Sequence, residues 1–249
     1  MESTTIAVIS GASRGLGFAL ASELLASGAT VITLSRNSNA ELDAIAAQHG
    51  SRVQQLQADL SQPSSIEAAA GLLSAALPDG ASRYLLINNA GTVDPVSLAS
   101  GLFDASAIEQ AFNLNVTATM VLTAAFLRSV PQQADRRIVN VSSGAGRQPT
   151  RGWGVYCATK AAMDLYTRVL AEENPGLRVA SLAPGVVDTP MQEHIRSRNN
   201  QDFPELDRFL QLHQKGQLSS PDAVAQKILR HVASDAFGRE LLDDVRNYD

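Results

Sequence analysis

The chain has 249 residues, 45% of them hydrophobic, which suits one α/β domain with a large buried core. Its 20 Lys and Arg against 25 Asp and Glu give a net charge of −5, and no basic run is present, which argues against a nucleic-acid partner. The single cysteine, Cys157, excludes an intrachain disulfide and, with no secretory leader visible, points to a reducing compartment such as the cytoplasm.

Residues 6–9 read as a short buried strand. Ser10-Gly11-Ala12-Ser13-Arg14-Gly15-Leu16-Gly17 follows, and then a helical apolar pattern over 15–27. Strand, glycine turn and helix open a βαβ unit. The glycine spacing, Gly-x-x-x-Gly-x-Gly, differs from the G-x-G-x-x-G fingerprint, so by itself it is either an ordinary turn or a cradle for a pyrophosphate at a helix N-terminus. Further strands are expected at 30–34, 52–57, 84–88, 137–141, 178–182 and 240–242, with helices at 39–49, 63–77, 106–130, 155–173 and 221–233. The alternation implies a single-domain, doubly wound parallel sheet spanning 1–249 with helices on both faces. The most apolar helical stretch, near 116–127, is too short to span a membrane. Residues 190–216 break the alternation: they are polar, hold Asn199-Asn200 and Pro204, and follow a strand's C-terminal end. They are expected to form a substrate lid with helical pieces; the alternative is a solvated insertion.

Tyr156-Cys157-Ala158-Thr159-Lys160 carries the chemistry. Four residues on a helix leave Tyr156 and Lys160 about 40° apart, on one face. A nearby ammonium is expected to lower the tyrosine pKa and make Tyr156 a proton donor for a carbonyl oxygen, with Ser143 offering a second hydrogen bond. The four histidines lack ligand spacing, and no metal site is expected.

In order along the chain, these segments resemble the short-chain dehydrogenase/reductase family. Ser10 and Gly11, Gly15 and Gly17 resemble its T-G-x-x-x-G-x-G, with serine for threonine. Asn88-Asn89-Ala90-Gly91, Asn115-Val116, the strand ending at Ser142-Ser143, and Pro184-Gly185 with Thr189 resemble its remaining motifs. The resemblance implies strand order 3-2-1-4-5-6-7. It also implies Asn115, Ser143, Tyr156 and Lys160 as the catalytic set, Asn115 holding a water that links Lys160 to solvent. Ser13, Arg14 and Leu16 would lie along the cofactor with the glycines. Asp59 and Leu60 would hold its adenine and Asn88 would support it. Ala90 and Gly91 would lie against it, with Pro184, Gly185, Val187 and Thr189 near the nicotinamide. Spacing to the tyrosine selects Ser143 over Ser142, which is assigned to the turn, and the N-V context selects Asn115 over Asn113. The family also implies a homodimer through helices near 107–128 and 156–172, where Ala118, Ala124, Ala125, Ala161 and Met163 would permit close packing; packing within one chain predicts the same residues.

The second strand ends Leu34-Ser35-Arg36-Asn37, without an acid. Ser35, Arg36 and Arg14 there point to a 2′-phosphate and hence to NADPH; each arginine is otherwise a surface charge. Within the family, Gly152-Trp153-Gly154-Val155-Tyr156-Cys157 and Val187-Asp188-Thr189-Pro190-Met191-Gln192 are similar to the sepiapterin and benzil reductases. That subgroup implies NADPH-dependent reduction of 1,2-diketones or similar activated ketones, with sepiapterin as a narrower alternative. Trp153 would wall the substrate or pack in the core, Met191 would line the pocket, and Asp243 would grip a pterin or lie at the surface. A non-catalytic dinucleotide sensor is the rival from another class.

Overall fold

Runs of Val, Ile and Leu bounded by glycine- and proline-marked turns form the strands in the computed structural model, which describes residues 4–248. In chain order the elements are β1 (Thr5–Ser10), α1 (Gly15–Ala26), β2 (Thr30–Ser35), α2 (Ala40–His49), β3 (Arg52–Gln57), α3 (Pro63–Ala76), β4 (Arg83–Asn88), α4 (Ala105–Phe112), α5 (Ala118–Ser129), β5 (Asp135–Val141), α6 (Gly154–Glu173), β6 (Arg178–Ala183), α7 (Pro190–Arg196), α8 (Leu206–Gln214), α9 (Pro221–Ala233) and β7 (Leu242–Asp244). The sheet order is β3-β2-β1-β4-β5-β6-β7, all parallel, as expected. The inner strands are buried on both faces because helices cover both. Edge strand β3 is less buried, with Arg52 and Gln54 exposed on alternate positions and Gln57 exposed at its end.

One core layer joins Leu20 and Leu25 of α1, Leu42 of α2 and Ile228 of α9 to the sheet. The other joins Ile66 and Leu73 of α3, Leu122 and Phe126 of α5 and Leu170 of α6. Because β1 lies between β2 and β4, the chain leaves it toward one face and leaves β4 toward the other. The crevice between these exits, at the strands' C-terminal ends, is where open α/β sheets bind ligands. Asn39 caps α2 and Ser220 caps α9, whereas no side chain caps α1, which faces that crevice.

Two expectations change. The helix expected over 106–130 is interrupted by a π-helical turn at Asn113–Thr117. A side-chain clamp sits within it: Asn115 accepts from Thr92 N–H at 2.8 Å and donates to Thr92 C=O at 2.8 Å. The whole helical stretch Ala105–Ser129 is 25 residues long, so length does not rule out a membrane span as 116–127 suggested. Its Ala118, Leu122, Ala125 and Phe126 are instead packed against the sheet.

Candidate active site

The glycine turn is held from behind. Ser10 Oγ accepts from the backbone N–H groups of Asn89 and Ala90, both at 3.1 Å, so serine performs the hydroxyl's task here. Asn89 Nδ2 donates to the carbonyls of Ser10 (3.1 Å) and Gly11 (3.0 Å). A Cβ on Gly17 would sit 2.2 Å from Gly11 O and 2.4 Å from Asn89 Nδ2, so only glycine lets α1 begin here. From β2, Ser35 Oγ accepts from Ala12 N–H at 2.9 Å.

This arrangement fits a dinucleotide. The first turn of α1 has amides without a capping side chain, a ready anion site. Gly15 faces Thr189, which lies 3.3 Å from the position its Cβ would take, so 184–189 flank the same crevice. Arg14 and Arg36 are exposed at its outer end, and the Arg36 charge is felt at Asp59. Asp59 is turned to Ser61, whose hydroxyl (2.7 Å) and N–H (3.0 Å) hold its carboxyl below the usual range. Two expected contacts move. Asn88 points into the core, donating to Asn140 Oδ1 (2.9 Å) and Thr123 Oγ1 (3.1 Å), so the asparagine that braces the turn is Asn89. The Leu60 side chain is buried in the layer beneath α3.

At the next strands' ends, Asn115, Ser143, Tyr156 and Lys160 converge. Lys160 Nζ donates to Val141 O at 2.7 Å and lies 5.6 Å from the Tyr156 ring centroid. Asn115 Oδ1 and Lys160 Nζ meet at Gly91, 3.2 and 3.7 Å from where its Cβ would be. Asn115 Nδ2 also donates to Thr159 Oγ1 at 3.0 Å.

Burial pushes the Tyr156 phenol up to about 12, opposed by a hydrogen bond from Ser143, with the Cys157 thiol adding to the rise. Burial pulls the Lys160 ammonium down to about 8, opposed by Asp164. The expected lowering of Tyr156 by Lys160 is therefore overturned: desolvation of the phenolate dominates, and the ammonium is drawn to Val141. Ser142 does not serve the turn; its hydroxyl donates to the buried carboxylate of Asp164 at 2.7 Å.

The outer wall comes from 190–216, which holds α7 and α8. Its apolar residues are not scattered: Ile195, Phe203, Leu206 and Phe209 form one cluster with Trp153 and Tyr156. Trp153 is buried, stacked on Phe203 at 4.9 Å and edge-on to Tyr156 at 5.4 Å, so packing is the reading that holds in this structure. Met191 packs on the cluster's margin. Gly152, at φ +86°, carries the lid backbone: a Cβ there would lie 2.5 Å from Asp202 O.

Asp94, in the segment after β4, binds His194 Nε2 at 2.7 Å and Arg198 Nη2 at 2.5 Å, latching α7 across the mouth. His194 is thus hydrogen-bonded into the latch and not an idle surface histidine. Asp243, expected to grip a pterin, accepts from Tyr248 Oη at 2.8 Å with His231 Nε2 at 3.7 Å, so its carboxylate is already engaged. Asp244 is held bidentately by Arg246, at 2.8 and 2.6 Å. Sequence reasoning missed Asn89, Asp94 and Asp164; only Asn89 carried a signal, beside Asn88 in the same motif. Among the described residues no His, Cys, Asp and Glu cluster could hold a metal.

The comparisons with known proteins agree with this geometry. A family model described as short chain dehydrogenase matches residues 5–200. A benzil reductase ((S)-benzoin forming) of Bacillus cereus is 38% identical over 236 residues, covering 92% of this chain and 94% of that one. A sepiapterin reductase of Bos taurus is 39% identical over 245 residues, covering 94% and 91%. Among solved structures, the KRED1-Pglu enzyme superposes with a TM-score of 0.82 at 30% identity, covering 95% and 99%. A short chain dehydrogenase from Burkholderia cenocepacia in complex with NADP superposes with a TM-score of 0.74 at 29% identity, covering 95% and 94%.

Proposed function

Because the chain belongs to the short-chain dehydrogenase family and is an NAD(P)-dependent oxidoreductase of it, we propose that it is an NADPH-dependent carbonyl reductase of 1,2-diketones or similar activated ketones, yielding a chiral hydroxyketone. The observation that carries this reading is the convergence of Ser143, Tyr156 and Lys160 beside the crevice that the glycine turn opens.

NADPH fits the crevice through the α1 amides and through Arg14 and Arg36 at the 2′-phosphate end, and relatives solved with NADP and NADPH support the choice. The bound cofactor supplies a hydride to the ketone carbon. Tyr156 gives its proton to the ketone oxygen as negative charge builds there, and its raised pKa keeps it protonated at neutral pH. Ser143 orients and polarises the same oxygen. Lys160 binds the nicotinamide ribose and stabilises the tyrosinate left behind. A water linking Lys160 to solvent would use the Asn115 backbone carbonyl, since the side chain is occupied by Thr92 and Thr159. The 190–216 segment acts as the lid, held shut by Asp94.

Sepiapterin is the second reading, favoured by the identity to sepiapterin reductases. What supports the diketone over it is that Asp243, the carboxylate expected to grip a pterin, is already engaged by Tyr248, and its neighbour Asp244 by Arg246. We also propose a homodimer through the outer faces of α4 to α6, where Phe112, Met120, Leu165 and Val169 are exposed. Ala118, Ala125 and Met163 are buried within the chain and do not contribute, whereas Ala124 and Ala161 are exposed.

The deciding experiment is cofactor consumption with benzil, an aliphatic 1,2-diketone, sepiapterin and a simple monoketone, each with NADPH and NADH. Turnover of the diketones with NADPH is expected. Sepiapterin as the only active substrate would replace the reading with its alternative. Silence throughout with NADPH bound would favour the sensor.

A further inference from the structure

Asp164 is a buried carboxylate that touches none of the four residues assigned to catalysis, yet it is built into their support. It lies one turn beyond Lys160 on the same face of α6, and each residue is 5% exposed. Three donors converge on it: Ser142 Oγ at 2.7 Å, Ser181 Oγ at 2.5 Å and Arg147 Nε at 3.0 Å. Ser142 is the residue before Ser143 at the end of β5, and Ser181 belongs to β6. Arg147 follows the short 3-10 turn after Ser143 and also donates to Ser181 O and Asp243 O, both at 3.1 Å. One carboxylate thus joins α6, β5 and β6, and reaches β7 through Arg147.

Burying a charge is costly, and apolar residues of similar size would pack there at less expense. The retained charge has a recipient. Facing Lys160 are Tyr156 of its own helix, the Val141 carbonyl of β5, and uncharged Asn115 and Gly91 of the rim. Behind it stands Asp164, and behind Asp164 stands Arg147, whose charge also reaches Asp244 and Tyr248. The Asp164 charge is what opposes burial at Lys160.

We propose that Asp164 is a positioning residue for the reduction: it keeps Lys160 cationic at working pH and ties the strand end bearing Ser143 to the helix bearing Tyr156. The burial that pulls Lys160 down to about 8 leaves its charge marginal near neutrality, which is where a fixed anion one turn away matters most.

The chain has three lysines, Lys160, Lys215 and Lys227. An NMR pH titration of protein carrying ε-13C lysine therefore reads Lys160 directly, assigned by its loss in Lys160→Met. In Asp164→Asn the Lys160 midpoint is expected to fall by about one unit. In Arg147→Gln, which removes a cation competing for the same carboxylate, it is expected to hold or rise. A merely structural cluster would move both variants alike. An unmoved midpoint in Asp164→Asn, or an equal fall in Arg147→Gln, overturns the proposal. Should Asp164→Asn fail to fold with Arg147 left unpaired, the double variant Asp164→Asn/Arg147→Met reads the same midpoint: a fall supports the proposal and an unmoved value overturns it.

The catalytic half rests on the reductase reading. There the alkaline limb of kcat/KM is expected to follow the titration, and a limb that stays fixed while the midpoint falls overturns that half. The titration needs no substrate, so failure of the substrate panel leaves it intact and distinguishable.

Discussion

The crevice has two ends built by different means. At the cofactor end, the structure is backbone against backbone: Gly17 against Gly11, the uncapped amides of α1, and Asn89 holding two carbonyls of the same turn. At the lid end it is side chain against side chain across long stretches of sequence. Trp153 stacks on Phe203, and Asp94 reaches His194 and Arg198. A site of backbone amides recognises what every dinucleotide shares. A wall of side chains can be rebuilt for a new ketone without disturbing that recognition.

The strongest way to break this division is Gly17→Ala. With its Cβ 2.2 Å from Gly11 O, the turn must shift, and NADPH affinity measured by fluorescence titration is expected to fall by roughly 100-fold or more. The lid should survive, so a loss of the Trp153 emission signature would show the two ends to be one unit.

Lys160→Met sits at the boundary. In the folded chain the lysine titrates near 8 against an ordinary 10.5. Below pH 8 it is charged whether folded or not, and the full burial cost is present. Between 8 and 10.5 the unfolded chain binds more protons, so wild-type stability rises with pH. The variant is therefore expected to be inactive yet to melt higher than wild type at pH 7, by at most about 3 kcal/mol in stability, with the gap closing as pH rises toward 10. A variant that melts lower at pH 7 would mean that the Val141 bond outweighs burial.

The smallest effect belongs to Asp94→Asn, which weakens the latch at a half-exposed site. The ketone KM is expected to rise about three- to tenfold, with the NADPH Kd unchanged. An equal change in both constants would erase the distinction between the ends.

The same division explains what was legible in the sequence. The glycine turn and the Tyr156 and Lys160 pair could be read because each rests on short spacing or on a local conformational demand, whereas the strand order and the choice of Ser143 followed from the family resemblance. The Trp153 cluster could not, since Phe203 and Phe209 lie 50 and more residues away and look scattered in a polar segment. That Asn89 and not Asn88 faces the turn is invisible in the dipeptide itself, because strand alternation decides which of two neighbours points there. The direction of the Tyr156 pKa is not legible in the sequence, because spacing gives proximity and not desolvation.

The π turn at Asn113–Thr117 has a consequence for how this chain can change over generations. It is one residue more than a regular helix would hold, and each residue turns a helix by about 100°. Because the turn absorbs the extra residue locally, deleting Leu114 would restore a regular helix with Leu122 and Phe126 still on the sheet, and only the residues inside the turn, Asn115 with its hold on Thr92 among them, would be displaced. The loss of one residue there would therefore spare the packing of the helix on the sheet and cost the site instead, since Asn115 would leave Thr92 and its place beside Lys160.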